Sequence, residues 1–238
     1  MIRALAVIMP TRKEEQLLAD CLDSLHRAAR HPRVRDLPCR VIVLADACRD
    51  ATAAIARRRG ADLLELTAGH VGAARATGSR HALDLRPRLL AGPDPGLCVA
   101  VPHRRGLPGP ARLARPPPRP RGLRLAGSCG HRPRHGLDRP PGQHRQDLPT
   151  HYQQDQLADE HRHVHEANLA VRADAYRAAG GFQPLPVGED RTLVAALDAA
   201  GFRAKRTGRN PVATSTRRNP RAHGRFGDFL RDLDALPG

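Results

Sequence analysis

The chain has 238 residues and a formal net charge of +16, a length that suits one α/β domain with a real core. So much positive charge would ordinarily suggest nucleic acid or an anionic membrane. However, residues 86–149 hold 13 arginines against three acidic residues (Asp94, Asp138, Asp147), +10 of the total, which leaves about +6 for the rest.

All six aromatics (Tyr152, Tyr176, Phe182, Phe202, Phe226, Phe229) lie beyond residue 150, away from that basic stretch. Bases would find no stacking platform there, so a nucleic-acid partner is not expected. Five cysteines with no Cys-x-x-Cys spacing indicate neither a disulfide framework nor a zinc site, and a reducing cytoplasm is the expected compartment. The apolar run at residues 4–9 is too short for a signal peptide, and no run approaches a membrane span. Contact with a membrane surface stays open.

Residues 4–9 form a continuous apolar run closed by Pro10, the pattern of a strand buried on both faces of a parallel sheet. Beyond Glu14, Leu17, Leu18, Cys21, Leu22, Leu25, Ala28 and Ala29 recur every three or four residues, which predicts an amphipathic helix ending before Pro32. A second β run at residues 40–45 ends at Asp46, and a helix follows from Asp50-Ala51-Thr52 to Arg59, stopped by Gly60. A third run, residues 62–66, leads through Gly69-His70 into a helix reaching about Asp84. Three successive βα units predict a doubly wound parallel sheet, which binds ligands beyond the carboxyl ends of its strands.

Those ends carry Pro10-Thr11-Arg12-Lys13-Glu14-Glu15 and Asp46-Ala47-Cys48-Arg49-Asp50. A carboxylate there can accept a hydrogen bond from a ribose hydroxyl or a base N–H, while Arg12 and Lys13 can face phosphate. Glu15 and Asp50 read more simply as residues favouring helix N-termini, whereas Asp46, directly ending a buried strand, reads as a ligand contact. No GxGxxG or Walker A loop follows either strand, against a dinucleotide or P-loop enzyme.

The stretches 7–15, 41–52 and Gly69-His70-Val71-Gly72-Ala73-Ala74-Arg75 resemble, in order and spacing, the nucleotide-binding signatures of family 2 glycosyltransferases. The resemblance implies an α/β, GT-A-like (Rossmann-like), mostly parallel sheet flanked by helices. It also implies that Pro10, Thr11, Glu14 and Asp46 line the nucleoside pocket of a sugar nucleotide, with Gly72 and Arg75 near the ribose or diphosphate. Lys13 stands where these proteins usually have Asn.

Past residue 150, Asn168-Leu169 with Arg172, Gly180-Gly181-Phe182, and Gly188-Glu189-Asp190 followed by Leu193 resemble the acceptor-side signature of the same family. A helix is expected over about residues 173–179, and another after Gly188-Glu189-Asp190. Adjacent carboxylates at such a junction can supply a general base or simply start a helix. The resemblance makes Asp190 the base and Glu189 its neighbour at the acceptor site. Glu166 stands where a small residue is usual, and without tryptophan no QxxRW motif of processive synthases can occur. His161, His163 and His165 would share one face of a strand and could hold a metal, or be merely solvent-facing or packed. The basic stretch from Thr214 to Arg221 could close on a diphosphate or form plain solvated surface.

The resemblance also implies Mn2+ or Mg2+, held by an Asp-x-Asp at the end of a fourth buried strand. Its place falls near residues 97–107, where an apolar run, Gly96-Leu97-Cys98-Val99-Ala100-Val101, is followed by Pro102-His103-Arg104-Arg105. The ligand motif is not found there. This run lies in a segment with 14 of the chain's 22 prolines, a composition not expected to form a buried strand. The codons of residues 101–115 can be chosen so that, read one base later, they encode Cys-Arg-Thr-Asp-Ala-Asp. A frame slip over about residues 98–147 is therefore expected, the alternative being a genuine Pro/Arg-rich insertion.

Residues 1–85 thus read as nucleotide-sugar-binding βα units, 86–149 as an irregular segment, and 150–238 as the acceptor-side half. The expected activity is transfer of a sugar from a nucleoside diphosphate sugar to a hydroxyl acceptor, with inversion and impaired by the missing acidic pair. The alternatives are a degenerate sugar-nucleotide-binding protein and, further off, a basic nucleic-acid-binding protein.

Overall fold

A computed structural model describes residues 2–32, 34–89, 96–102, 107–108, 125–128, 131–134, 168–202, 204–207 and 212–215. Strands β1 (Ala4–Thr11), β2 (Cys39–Asp46) and β3 (Asp62–Leu66) alternate with helices α1 (Leu18–Ala29), α2 (Thr52–Arg58) and α3 (Val71–Asp84), as the periodicity predicts. After the short α4 (Arg86–Leu89) come β4 (Leu97–Pro102), β5 (Leu107–Pro108), β6 (Leu125–Ser128) and β7 (His131–Arg134). The second half supplies β8 (Asn168–Arg172), α5 (Ala173–Ala178), α6 (Glu189–Ala199), β9 (Ala204–Thr207) and β10 (Val212–Ser215).

The main sheet runs β3-β2-β1-β4-β8-β6-β9, and β5-β10-β7 form a smaller one. Strand β1 pairs in parallel with both β2 and β4, so the chain reverses its direction of travel across the sheet between β1 and β4. In such sheets the crevice at the strands' carboxyl ends opens at that switch point. Antiparallel β8 joins the sheet between β4 and β6.

Side chains alternate across the sheet as a period of two demands. Val7, Met9, Val41 and Val43 meet Leu18, Cys21, Leu22 and Leu25 of α1 and Ile55 and Ala56 of α2. Ala4, Ala6, Ile8, Ile42, Leu44, Leu97 and Val99 face α3, α5 and α6 on the other side, against Ala74, Tyr176, Leu193 and Leu197. Helices therefore cover both faces, which is why β1 and β2 are apolar almost throughout.

Two expectations are corrected. The Pro/Arg-rich segment does contain a buried strand, because residues 97–101 are free of proline and charge; Leu97 and Val99 are fully buried and β4 sits centrally. Asn168–Arg172, expected only to lead into a helix, forms β8, where Leu169 and Val171 point to the core while Ala170 packs on the opposite face. The proline in β7, Pro133, lies on an edge of the small sheet, where a missing donor is tolerated. Among the described residues no helix is long and apolar enough to cross a membrane.

Candidate functional site

The carboxyl ends of β1 and β2 form one interlocked platform. Thr11 is fully buried and its hydroxyl donates to the Leu44 carbonyl at 3.0 Å, so with the buried Pro10 it shapes the floor. Glu14 is 2% exposed, and its N–H donates to Thr52 Oγ1 at 2.9 Å. The adjoining loops are tied reciprocally: the Ala51 N–H donates to Glu15 Oε2 at 3.0 Å, and the N–H groups of Thr52 and Glu15 donate to Asp50 at 3.3 and 3.4 Å. Asp50 thus holds the first N–H of α2, while Glu15, expected to favour the start of α1, ties the β1 loop to the loop before α2 instead. Burial alone would raise the Asp50 pKa, but the bonds from the Thr52 side chain and from backbone N–H groups outweigh it and hold the carboxyl below its ordinary value.

Two residues at this platform adopt left-handed backbone, Lys13 (φ 53°) and Ala47 (φ 50°), a conformation disfavoured with a Cβ. Ala47 is anchored by its N–H on the Leu66 carbonyl at 2.7 Å. The Lys13 N–H points to Cys48 Sγ at 3.4 Å. Asn tolerates such a φ better than most residues, a physical reason for its usual presence where this chain has Lys13.

Asp46 ends β2 fully buried. Its Oδ1 accepts the Gly69 N–H at 2.9 Å, while Oδ2 has no hydrogen-bond partner among the described residues. Gly69, at φ 76°, lies just ahead of His70, whose Nδ1 caps α3 by accepting the Ala73 N–H at 3.2 Å. Arg12 Nη1 donates to the Gly69 carbonyl at 3.0 Å. The β1 loop, the end of β2 and the start of α3 therefore meet at one place.

Three of the expected site residues are tied into the packing between α3 and the second half of the chain. Arg75, expected near ribose or diphosphate, is only 2% exposed, and its Nη1 pairs with Glu189 Oε1 at 2.5 Å. Its guanidinium carbon also lies 5.8 Å from the Phe182 ring centroid. Glu189 is fully buried in that ion pair. Gly72 is a packing glycine: a Cβ there would fall 2.2 Å from the Leu185 carbonyl oxygen. Asp190 lies in the first turn of α6, 2% exposed, with Oδ1 unpartnered among the described residues.

The sequence reading missed Gly69 as the donor to Asp46 and Tyr176 as the support of Phe182; their only local signals were a glycine ahead of a helix and an aromatic six residues before another. Glu166, the three alternating histidines, residues 103–106 after Pro102 and the basic stretch beyond Ser215 lie outside the described residues. Among those described, no group of three or more His, Cys, Asp or Glu could hold a metal ion. The residues in view therefore do not fit the expected divalent cation.

The fold is that of the GT-A nucleotide-sugar glycosyltransferases. The chain is similar to a mannosyltransferase from Pyrobaculum calidifontis in complex with GDP-Man and Mn2+, with TM-score 0.63 and 19% identity over 99% of this chain and 61% of that one. Similar too are the catalytic domain of Drosophila β1,4-galactosyltransferase 7 in complex with xylobiose (TM-score 0.56, 12% identity, 100% of this chain and 83% of that one) and glucosyl-3-phosphoglycerate synthase from Mycobacterium tuberculosis in complex with Mn2+, UDP and glucosyl-3-phosphoglycerate (0.53, 17%, 98% and 76%). The chain spans less than two thirds of the mannosyltransferase's length. Within this fold, residues 6–84 match the sequence profile of glycosyl transferase family 2, so the resemblance of the first third is borne out. No curated protein matches the chain by sequence.

Proposed function

We propose that the chain binds a nucleoside diphosphate sugar at the ends of β1 and β2 and transfers the sugar to a hydroxyl acceptor with inversion. The observation that carries this is Asp46 Oδ2, buried and without a partner among the described residues, beside an Oδ1 held by Gly69. A buried carboxylate oxygen without a partner is costly, and a base N–H of a bound nucleoside would satisfy it. Pro10, Thr11 and Glu14 shape that pocket, with Arg12 and Lys13 at its rim towards phosphate. The profile match over residues 6–84 and the nucleotide-bound neighbours sharing the fold support the same reading.

Asp190 is the general base. As the acceptor oxygen attacks the anomeric carbon, its proton passes to Asp190 Oδ1. The bond from that carbon to the diphosphate breaks, and the diphosphate leaves with the electron pair. A single displacement of this kind inverts the configuration. No step is assigned to a divalent cation, since the described residues do not fit one. The same observation favours a second reading, a degenerate chain that binds the donor without turning it over. A frame slip over about residues 98–147 would account for the missing acidic pair, and the gene sequence across codons 90–150 tests it: an offset frame encoding no acidic pair there sinks the idea. The cytoplasm remains the proposed location.

The test measures UDP and GDP binding by calorimetry, and turnover of UDP-glucose and GDP-mannose with Mn2+ present. Asp46→Asn should weaken nucleotide binding about tenfold, the loss of one good hydrogen bond. Asp190→Asn should lower kcat by about 10²- to 10⁴-fold at unchanged nucleotide affinity. Binding without turnover in the wild type would select the degenerate reading, and no binding of either nucleotide would refute both.

A further inference from the structure

We infer that Arg75 is a positioning residue for the acceptor side: its buried ion pair with Glu189 fixes the first turn of α6 and with it the place of the Asp190 carboxylate. This rests on the transfer reading for the role of Asp190, but not for the geometry. Arg75 lies on α3, six residues after Gly69, which holds Asp46; Glu189 lies 114 residues further on, immediately before Asp190. The nucleotide-side contact, just ahead of α3, and the acceptor-side contact, in its second turn, thus both lie at the start of one helix.

The helix that carries Asp190 needs such a brace. Its N-cap is Gly188, at φ 81°, which offers no side-chain cap; the Thr192 hydroxyl and N–H close the first turn on the Gly188 carbonyl at 3.0 and 2.9 Å, but these bonds lie within the turn and do not tie it to the rest of the fold. That loop is instead pinned from α3. Leu185 is packed so closely on Gly72 that no Cβ fits between them. Phe182 lies beside the Arg75 guanidinium, its N–H donates to the Tyr176 hydroxyl at 2.9 Å, and the two rings sit 5.7 Å apart, tilted by 59°. A Cβ at Gly181 would lie 2.8 Å from the Tyr176 ring, so this glycine is what lets the aromatic close on the loop.

The charge arrangement points the same way. Glu189 and Asp190 are adjacent, both in the first turn and both nearly inaccessible, at 0% and 2% exposure. Two buried carboxylates side by side repel unless a cation is near. Arg75 neutralises Glu189 and leaves Asp190 with an oxygen available for a proton. A planar guanidinium suits this place because it can pair with a carboxylate along one edge while its face rests on an aromatic ring.

The experiment compares full-length wild type with Arg75→Met, Arg75→Lys and Glu189→Gln by hydrogen exchange and steady-state kinetics. In Arg75→Met, amides of residues 189–194 should exchange at least tenfold faster while those of β1 and β2 do not change, and Arg75→Lys should recover most of the protection. With UDP-glucose or GDP-mannose, Arg75→Met should lower kcat at least tenfold with donor KM within twofold, again with partial rescue by lysine; Glu189→Gln should follow the same split. Unchanged protection at 189–194, or a raised donor KM at constant kcat, overturns the inference; the latter would return Arg75 to the donor site. If Arg75→Met fails to fold, Arg75→Lys and Glu189→Gln carry the same comparison. A wild type without turnover would count against the transfer reading alone, and the exchange result would still decide whether Arg75 orders α6.

Discussion

At the scale of single residues, the platform is a place where backbone strain and buried charge are kept because neighbours enforce them. Lys13 is the clearest case. A residue with a Cβ at φ 53° loses about 1–2 kcal/mol relative to right-handed backbone, and Asn loses less. Lys13→Asn should therefore raise stability by about 0.5–1 kcal/mol in urea unfolding, and an unchanged or lower midpoint would contradict the strain. Asp50 gives a pH test. Its carboxyl is held below the ordinary 3.8, so its contribution to stability is fully present above that value and is lost as pH falls through the lower folded-state value. Asp50→Asn should make the fall in Tm between about pH 5 and about pH 3 shallower; a steeper fall would reverse the sign. None of this was legible in the sequence beyond the residue types, because φ and hydrogen-bond partners depend on loops meeting 35 to 38 positions apart.

At the scale of elements, α3 is the part on which both halves converge. Its glycines separate two kinds of close approach. Gly72 faces backbone of the 183–185 loop, with a Cβ position 2.2 Å from the Leu185 carbonyl oxygen, whereas Gly78 faces side-chain carbons of Ile8 and Leu44 at 2.6 and 2.7 Å. Side chains can rotate aside more readily than backbone can move, and alanine gains helix propensity at either site. Gly72→Ala should thus cost about 2–3 kcal/mol by overpacking, and Gly78→Ala about 1 kcal/mol net. Urea unfolding of the two variants checks the order, and equal losses would mean that the 183–185 loop yields freely. The existence of α1, α2 and α3 was readable from apolar periodicity. The position of β8 was not, since a five-residue strand flanked by antiparallel neighbours has too few alternations to declare itself.

At the scale of the molecule, the sheet is one structure made from distant stretches, with β4 as the join. Cys98 in β4 is 7% exposed, and burial pushes its thiol up to about 12 despite the nearby Arg172 charge, so it should be inert to alkylation in the native state. Cys48 is part-buried at the platform. Peptide-resolved alkylation should modify Cys48 in the folded protein, more slowly with saturating UDP or GDP, and Cys98 only with global unfolding, together with Cys21. Native-state labelling of Cys98 as fast as that of Cys48 would place β4 outside the sheet.

By itself the sequence determined the elements of the first half and the doubly wound class, and it singled out Asp46 and Asp190, the two carboxylates on which the proposed function rests. Those signals are local: apolar runs, helical periodicity, and acidic residues at the junctions of strands and helices. Only the tertiary structure decided that β4 is a central strand within a proline-rich segment, that Gly72 is required by packing, and that Arg75 pairs with Glu189. The reason is physical. Burial and pairing are properties of surfaces brought together by folding, and the 114 residues between Arg75 and Glu189 carry no local pattern that links them.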